Sequence, residues 1–310
     1  MNILVTGANG FVGHALTKQL RDQQYNVISA VRRSCGIPNE TIIADDLSWN
    51  IALMNQDVVI HTVARAHVMN ETKANALAAY RDVNVDGTKK LAEQAAASGV
   101  KRFIFLSSVK VNGERTIART PFTYEDNACP EDAYGISKWE AEQALYEVSA
   151  RTGLEVVIIR PPLVYGPGVK GNFYSMLKWL SGGIPLPLGT IDNMRSLIGI
   201  DNLVDIIITC IDHPAAANQT FLVSDDEDLS TTDLLHRLGK ALHKPARLVP
   251  VPTSVLEVAA QLVGKKAVAQ RLLGNLQVDI SKAREVLDWS PLVSVDEGLQ
   301  KTVEWFLSQR

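Results

Sequence analysis

The N-terminal segment constrains the fold of this chain more than any other. A short apolar, β-branched run at residues 2–5 is followed at once by Gly7, Gly10 and Gly13, and then by a stretch with helical spacing. A glycine-rich turn between a strand and a helix is the context of a dinucleotide-binding fingerprint. The three glycines permit a tight turn, close approach of a pyrophosphate and close helix–strand packing. The alternative, an ordinary glycine-rich turn, is disfavoured by this position in the sequence.

The end of the second predicted strand bears on the choice of cofactor. That strand, residues 25–31, ends at Val31 and is followed by Arg32 and Arg33. NAD-selective sites usually carry an acid here that binds the adenosine ribose, whereas arginine can pair with a 2′-phosphate. We therefore expect NADP(H) to be favoured over NAD(H), with a solvated arginine pair as the alternative. After the third strand, Asp46 is expected near the adenine, or else as a turn or capping residue.

Two hydroxyls and a Tyr–Lys pair form the predicted catalytic group. The strand at 101–106 ends at Ser107 and Ser108, and both hydroxyls are expected in the cleft because ligands bind beyond the carboxyl ends of parallel strands. Tyr134 and Lys138 are four residues apart, on one face of one helix. A nearby ammonium favours the phenolate, so Tyr134 is predicted to exchange a proton near neutral pH while Ser108 orients the substrate oxygen. Beside a nicotinamide, this group predicts hydride transfer at a carbinol or ketone carbon.

Several further motifs make the sequence similar to a known family. They occupy residues 6–13, 57–61, 84–88, 107–113, 134–138 and 160–168. Over nearly its whole length the chain resembles the extended short-chain dehydrogenases/reductases of the nucleotide-sugar epimerase/dehydratase type. The resemblance implies a Rossmann-type doubly wound parallel sheet with a smaller C-terminal α/β substrate lobe. It also implies NAD(P)-dependent chemistry at C4 of a nucleotide-linked hexose, either as a 4-epimerase or as a 4-ketoreductase.

The same resemblance assigns roles to individual residues. It implies Ser108, Tyr134 and Lys138 as the catalytic triad, and Asn84 as a structural and cofactor-side asparagine. The expected cofactor contacts are Gly7, Asn9, Gly10, Phe11, Val12, Gly13, Arg32, Arg33, Asp46, Leu47, Ala64, Asn84, Tyr134, Lys138 and Pro161. The expected substrate contacts are Ser108, Asn172, Arg195 and Arg271. In this arrangement the two arginines hold the diphosphate of a nucleotide sugar, with UDP favoured over dTDP.

The sequence departs from the family pattern at three places, which affects the predicted reaction and the predicted substrate contacts. Val109 and Lys110 stand where dehydratases carry an Asp–Glu pair, so 4,6-dehydration is not expected. Asn112 replaces a common tyrosine. Leu163 stands where better-known 4-epimerases have a substrate-facing asparagine, so the contacts to a uridine sugar are expected to differ.

Composition excludes several other classes. The formal net charge is −3. The sequence has no basic stripe, so nucleic acid is not an expected partner. No segment approaches the roughly 20 apolar residues that a membrane-spanning helix needs. Cys35, Cys129 and Cys210 are scattered, which favours a reducing cytosol over a disulfide framework. The histidines show no metal-ligand spacing, and His61 is expected to pack or hydrogen-bond locally. We therefore expect a cytoplasmic protein without a metal and without a membrane partner; a homodimer is implied by the resemblance alone.

The order of elements predicts two structural units. Strands and helices alternate over residues 1–165, which indicates the cofactor-binding domain, with 196–223 returning to it. Residues 166–195 and 224–292 are predicted to form the substrate-binding lobe, and 293–310 a closing helix. Two other functions stay open from the sequence: reduction of a non-sugar ketone, such as a dihydroflavonol or steroid, and cofactor binding by a regulator without chemistry.

Overall fold

The computed structural model describes residues 1–43, 46–65, 73–262, 264 and 266–309, except for the side chains of residues 46–48, 73–75 and 266–268. Its strands are β1 (Asn2–Thr6), β2 (Asn26–Val31), β3 (Glu40–Ile42), β4 (Val58–His61), β5 (Arg102–Leu106), β6 (Glu155–Arg160), β7 (Leu163–Tyr165), β8 (Leu197–Gly199) and β9 (Thr220–Leu222). Seven of them form a parallel sheet in the order β3-β2-β1-β4-β5-β6-β9. The remaining two, β7 and β8, pair with each other.

Helices cover both faces of the seven-stranded sheet. They are α1 (Phe11–Asp22), α2 (Asp46–Leu53), α3 (Lys73–Tyr80), α4 (Gly87–Ala97), α5 (Ala133–Thr152), α6 (Gly171–Ser181), α7 (Ile200–Asp212), α8 (Thr231–Ala241), α9 (Thr253–Leu262), α10 (Lys266–Leu273), α11 (Ser281–Leu287) and α12 (Val295–Ser308). Because both faces are covered, strand residues of either parity are buried, as Ile3 and Leu4 of β1 show. The predicted α/β fold class is confirmed.

Three apolar clusters hold the layers together. One lies on the face covered by α1 and α7, and a second on the face covered by α4 and α5. The third joins α6, α8 and α12 to Tyr165 on β7, away from the seven-stranded sheet. The closing helix α12 therefore packs on the elements that follow β6, with Phe306 buried among them.

The strand order places a ligand crevice. The chain runs outward from β1 to β2 and β3, and then returns to β4 on the other side of β1. At such a reversal the loops beyond the carboxyl ends of the strands diverge and leave a crevice. The glycine turn after β1 and the residues that directly follow β4 and β5 lie at this edge.

Within the segment 196–223, β9 joins the seven-stranded sheet and α7 packs on one face of it, whereas β8 pairs with β7. At the start of α11, Ile280 is the N-cap residue and the Ser281 N–H donates to Asp279 at 2.7 Å. Helix α11 ends at Leu287, and Asp288 follows it with a left-handed φ of +51°.

None of the described helices is long and apolar enough to cross a bilayer. All three cysteines are free thiols. Within the described ranges, no group of three or more His, Cys, Asp or Glu residues is arranged to hold a metal ion.

Candidate active site

The glycine turn after β1 has the geometry of a phosphate cradle. Gly7 has a φ of +71°, and its carbonyl accepts the Gly10 N–H at 2.8 Å. A Cβ at Gly13 would lie 2.2 Å from the Gly7 oxygen, so only glycine lets α1 pack this closely on the turn. Gly10, the N-cap of α1, contributes no side-chain capping bond, and its neighbour Asn9 is exposed. The first N–H groups of α1 are therefore available to an anion, as a pyrophosphate site requires.

The residues flanking the cradle are partly buried. Phe11 and Val12 at the start of α1 pack against the core below the cradle. Ala64 follows β4 at the same edge and is half-buried, and Pro161 follows β6 and is buried. The side chains of Asp46 and Leu47 lie outside the described residues.

Arg32 and Arg33 are exposed directly after β2. The loop that follows is folded around the carboxylate of Glu40, which accepts hydrogen bonds from the Ser34 hydroxyl and from the Cys35 N–H at 3.0 Å. These bonds lower the pKa of Glu40 to about 2. In the described part of the chain neither arginine has an ion-pair partner, so both remain free for a phosphate.

Tyr134 and Lys138 lie at the start of α5. Asp132 caps this helix, accepting the Gly135 N–H at 2.7 Å. The Tyr134 ring packs edge-on against Tyr80, with 6.1 Å between ring centroids. Lys138 is only 1 % exposed, and its Nζ lies 3.9 Å from the centroid of the Phe105 ring. That ammonium has no hydrogen-bond partner among the described residues, so a polar ligand group in the crevice would satisfy it.

The two groups are shifted away from their ordinary pKa values. Burial lowers the pKa of Lys138 to about 7, against an opposing effect of the Glu142 carboxylate. Burial, followed by Asp132 and Tyr80, raises the pKa of Tyr134. In the ligand-free protein the pKa of Tyr134 is thus shifted upward, opposite to the lowering expected from Lys138, and burial is the largest cause. At neutral pH the phenol is protonated and can donate a proton.

The two serines after β5 face different surroundings. Ser108 is half-buried and precedes a 3₁₀ turn, Val109–Val111, where its Oγ accepts the Lys110 N–H at 3.3 Å. This turn packs on the start of α5, so close that a Cβ at Gly135 would lie 2.7 Å from the Lys110 oxygen. Ser108 and Tyr134 are thereby brought to the same edge. The Ser107 hydroxyl instead donates to buried Glu142 at 2.5 Å, so its expected place in the cleft is wrong.

Asn84 joins the crevice to the catalytic helix. It lies in a π-helical turn, Arg81–Asp86, between α3 and α4. Its amide accepts the Arg65 N–H at 2.9 Å and donates to the Arg65 carbonyl at 3.1 Å, which fixes the loop after β4. It also donates to the Ser137 hydroxyl at 3.0 Å on α5. The structural half of the role expected for Asn84 is present in these contacts.

His61 is an interior residue. Its ring nitrogens hydrogen-bond to Thr6 at 2.6 Å and Thr88 at 3.1 Å, and the ring stacks on Phe105. Burial, and then Lys138, lowers the pKa of His61 to about 3, so the imidazole is neutral at physiological pH. Its local hydrogen bonding is as expected.

The two predicted substrate arginines lie beyond the seven-stranded sheet, near enough for the charge of Arg271 to act on Arg195. Arg195 Nη1 donates to the Gly274 carbonyl at 2.9 Å, and Arg271 is exposed in the last turn of α10. Burial, and then repulsion from Arg271, lowers the pKa of Arg195 to about 10. Two mutually repelling cations beside a crevice favour an anion between them. Asn172 is exposed in the first turn of α6.

The three departures from the family pattern have distinct surroundings. Val109 is buried, and Lys110 pairs with Glu114 at 2.9 Å and with Asp132. Asn112 is buried, and its Oδ1 accepts a hydrogen bond from Arg160 Nη1 at 3.0 Å. Leu163, at the start of β7, is 43 % exposed.

Sequence reasoning missed Glu142 and Arg160. Glu142 is fully buried, and its carboxylate accepts Arg160 Nη2 at 2.5 Å and Nε at 3.0 Å. The available signal was a carboxylate on the apolar face of α5, four residues after Lys138, and a cation at the end of the apolar run of β6. A charge in either position needs a buried partner.

Comparison with known proteins identifies relatives in sequence and in fold. The model of the NAD dependent epimerase/dehydratase family matches residues 3–224. A UDP-glucose 4-epimerase of Vibrio cholerae is 50 % identical over 99 % of this chain and 95 % of its own length. The structure of a UDP-glucose 4-epimerase of Thermotoga maritima with UDP-glucose has a TM-score of 0.79 at 24 % identity, covering 100 % of this chain and 99 % of that one. A UDP-glucuronic acid 4-epimerase of Bacillus cereus with NAD has a TM-score of 0.80 at 22 % identity, covering 100 % and 97 %.

Proposed function

Because the chain belongs to the family of NAD-dependent epimerases and dehydratases, we propose that it acts at C4 of a nucleotide-linked hexose and that its net reaction is 4-epimerisation. One observation carries this proposal. Lys138 on α5 lies over the Phe105 ring of β5, and the turn after Ser108 packs on the start of α5 near Tyr134, while Arg271 lies near enough to Arg195 to lower its pKa. Hydride chemistry needs the first set, and a sugar diphosphate needs the second.

In the proposed reaction, different residues bind the cofactor, transfer the proton and hold the diphosphate. The cradle from Gly7 to Gly13 fits a dinucleotide pyrophosphate, and the unpartnered ammonium of Lys138 fits a ribose hydroxyl. When bound there, a nicotinamide supplies or accepts the hydride at C4. Tyr134 donates a proton to the C4 oxygen, or removes one from it, and Ser108 orients that oxygen by a hydrogen bond. Arg195 and Arg271 hold the diphosphate, which positions C4.

The turn after Ser108 supports the choice against dehydration. Elimination of water needs an acid and a base beside the sugar. The two positions that dehydratases use hold buried Val109 and the ion-paired Lys110.

A second candidate, 4-ketoreduction, is supported by one observation. Arg32 and Arg33 are exposed directly after β2, where a 2′-phosphate would lie, and a net reductase consumes NADPH. We favour NADP(H) for the same reason. Substituting Arg32 or Arg33 by alanine should weaken NADPH binding about 10- to 100-fold and leave NADH binding little changed, because one charge-assisted hydrogen bond is lost. Equal weakening of both cofactors in fluorescence titrations contradicts the assignment.

Products distinguish the two reactions. The protein is incubated with UDP- and dTDP-hexoses, and with a nucleotide-linked 4-keto sugar, with and without NADPH. The C4 configuration is read by NMR and NADPH by absorbance. Interconversion of C4 epimers without net cofactor consumption supports epimerisation, whereas one NADPH consumed per keto sugar means reduction. Turnover confined to non-sugar ketones, or no turnover with cofactor bound, contradicts both.

We also propose, from the family resemblance, a cytoplasmic homodimer. Residues 1–165 and 196–223 bind the cofactor in this proposal, and residues 166–195 and 224–292 the substrate. Light scattering of the purified protein measures the mass of the assembly directly.

A further inference from the structure

A buried ion pair lies directly beneath the catalytic group. Glu142 is 0 % exposed, and its carboxylate accepts two hydrogen bonds from Arg160 and one from Ser107. Arg160 in turn donates to Asn112 at 3.0 Å. The network thus links the ends of β5 and β6, the turn after Ser108, and α5. Every polar atom of the carboxylate is satisfied, which such a buried charge requires.

The position of Glu142 allows its carboxylate to influence the charge of the catalytic Lys138. Glu142 follows Lys138 by four residues on α5, so the two side chains lie on the same face of the helix. Lys138 has no hydrogen-bond partner in the described structure to stabilise its charge, and burial favours its neutral form. The carboxylate of Glu142 opposes that effect.

Among the described residues, the other groups around Lys138 do not supply a negative charge. His61 on β4 is neutral, Phe105 on β5 offers only its ring face, and Tyr134 on α5 is protonated at neutral pH. Arg160 on β6 carries a positive charge that disfavours the ammonium, but it is bound to the Glu142 carboxylate.

We propose that Glu142 is a positioning residue for Lys138: its buried carboxylate, fixed by Arg160 and Ser107, keeps Lys138 cationic inside an otherwise apolar pocket. The inference rests on the proposed function only in giving the charge of Lys138 a catalytic use. A cationic Lys138 can donate to a ribose hydroxyl and stabilise negative charge on Tyr134. A neutral amine does neither well.

The sheet itself provides a matched control. At the amino ends of the same two strands, Arg102 of β5 pairs with Glu155 of β6 at 2.6 Å, and Arg102 is also buried. Glu155→Gln removes a carboxylate from a buried arginine of the same two strands, far from Lys138. It controls for the loss of an arginine–carboxylate pair between these two strands, at a carboxylate that is partly exposed where Glu142 is buried.

The test is a proton titration of the ligand-free protein with ¹³Cε-labelled lysine, followed by NMR. The Lys138 signal is assigned from its absence in Lys138→Arg. We expect a midpoint near 7 in the original protein. In Glu142→Gln the midpoint should fall by roughly 1 unit, because an opposite charge close to the ammonium is lost. In Glu155→Gln it should not move.

Turnover gives the second measurement. Since the charged form of Lys138 is the active one, kcat falls as the pH rises through the Lys138 pKa, and this alkaline limb should shift to lower pH in Glu142→Gln alone. A midpoint that is unchanged in Glu142→Gln, or that falls equally in Glu155→Gln, overturns the proposal. The NMR result stands even if no nucleotide sugar is turned over, so failure of the proposed function is recognised separately. If Glu142→Gln does not fold, Glu142→Gln/Arg160→Gln leaves no unpaired buried charge, and its midpoint must lie below that of Arg160→Gln, which keeps the Glu142 carboxylate.

Discussion

Lys138 illustrates at the scale of one residue how a reactive group conflicts with stability. A buried ammonium without a hydrogen-bond partner destabilises the folded state, and the Phe105 ring offsets this only in part. The loss of stability has a functional counterpart, since an ammonium without a hydrogen-bond partner in the protein can bind a ligand. The sequence predicted which lysine this is from its spacing to Tyr134. It did not predict the burial, which depends on the strands that lie beneath α5.

The first residue-scale prediction concerns Lys138→Met, which keeps the length of the side chain and removes its charge. The pKa of Lys138 is about 7 when folded and 10.5 as its ordinary value. The folding penalty of the charge is therefore complete below pH 7 and shrinks as the pH rises to 10.5. The melting temperature of the ligand-free variant should exceed the original by a few degrees at pH 6, and by less at pH 10.

Calorimetry at the two pH values measures this difference. Lys178→Met is the control, because Lys178 also lies over an aromatic ring, that of Tyr174, but is exposed. Its melting temperature should not depend on pH in this way. A Lys138→Met variant that melts below the original protein at pH 6 contradicts the prediction.

The second residue-scale prediction is Tyr134→Phe. It removes the transferable proton and preserves the ring contact with Tyr80. Turnover should fall roughly 10²- to 10⁴-fold, the usual contribution of general acid–base catalysis, while cofactor affinity stays near that of the original protein. Tyr124→Phe, at an exposed tyrosine, serves as the control for steady-state rates. Turnover of Tyr134→Phe within a few-fold of the original would remove Tyr134 from the catalytic group.

At the scale of elements, the best-predicted parts are those whose geometry is local. The strand–glycine–helix unit was predictable because three glycines at fixed spacing permit only a narrow set of turns. Helices α9 and α10 were not predicted. Helix α9 has no fully buried residue and exposes Val255, Val258 and Leu262, so its apolar pattern does not mark an inward face. The π-helical turn that places Asn84 was likewise not predicted, because its bonds reach Arg65 and Ser137 in distant elements.

Gly13→Ala tests the cradle as an element. The added Cβ would meet the Gly7 carbonyl at 2.2 Å, and neither backbone can retreat without separating α1 from β1. The free energy of unfolding should fall by about 1–3 kcal/mol, as for overpacking, and cofactor affinity should fall with it. Gly87→Ala is the matched control, since its Cβ would lie 3.5 Å from the nearest atom in an ordinary helical backbone. Urea unfolding in which both variants behave alike contradicts the account of the cradle.

At the scale of the whole molecule, the sheet could be predicted from sequence patterns, whereas contacts that depend on how the elements pack could not. The parallel sheet follows from alternating strand and helix patterns, so the crevice at its carboxyl edge follows too. The pairing of Ser107 with Glu142 could not be predicted, because it depends on how α5 is rotated against β5. The pairing of β8 with β7 was also unpredictable, since three-residue strands carry almost no pattern of their own.

The repulsion between Arg195 and Arg271, which lie far apart in the sequence, supports the last prediction. Burial beside a second cation lowers the pKa of Arg195, so an anion between the two guanidinium groups relieves their repulsion. UDP alone should therefore raise the melting temperature of the protein, because a ligand that binds only the folded state stabilises it. Arg195→Ala should lose most of that shift, while Arg237→Ala, at an arginine paired with Glu227 and Asp296, should keep it. NADPH should shift all three proteins equally, since the cradle is separate from Arg195. An unchanged response of Arg195→Ala to UDP in thermal-shift measurements would exclude Arg195 from diphosphate binding.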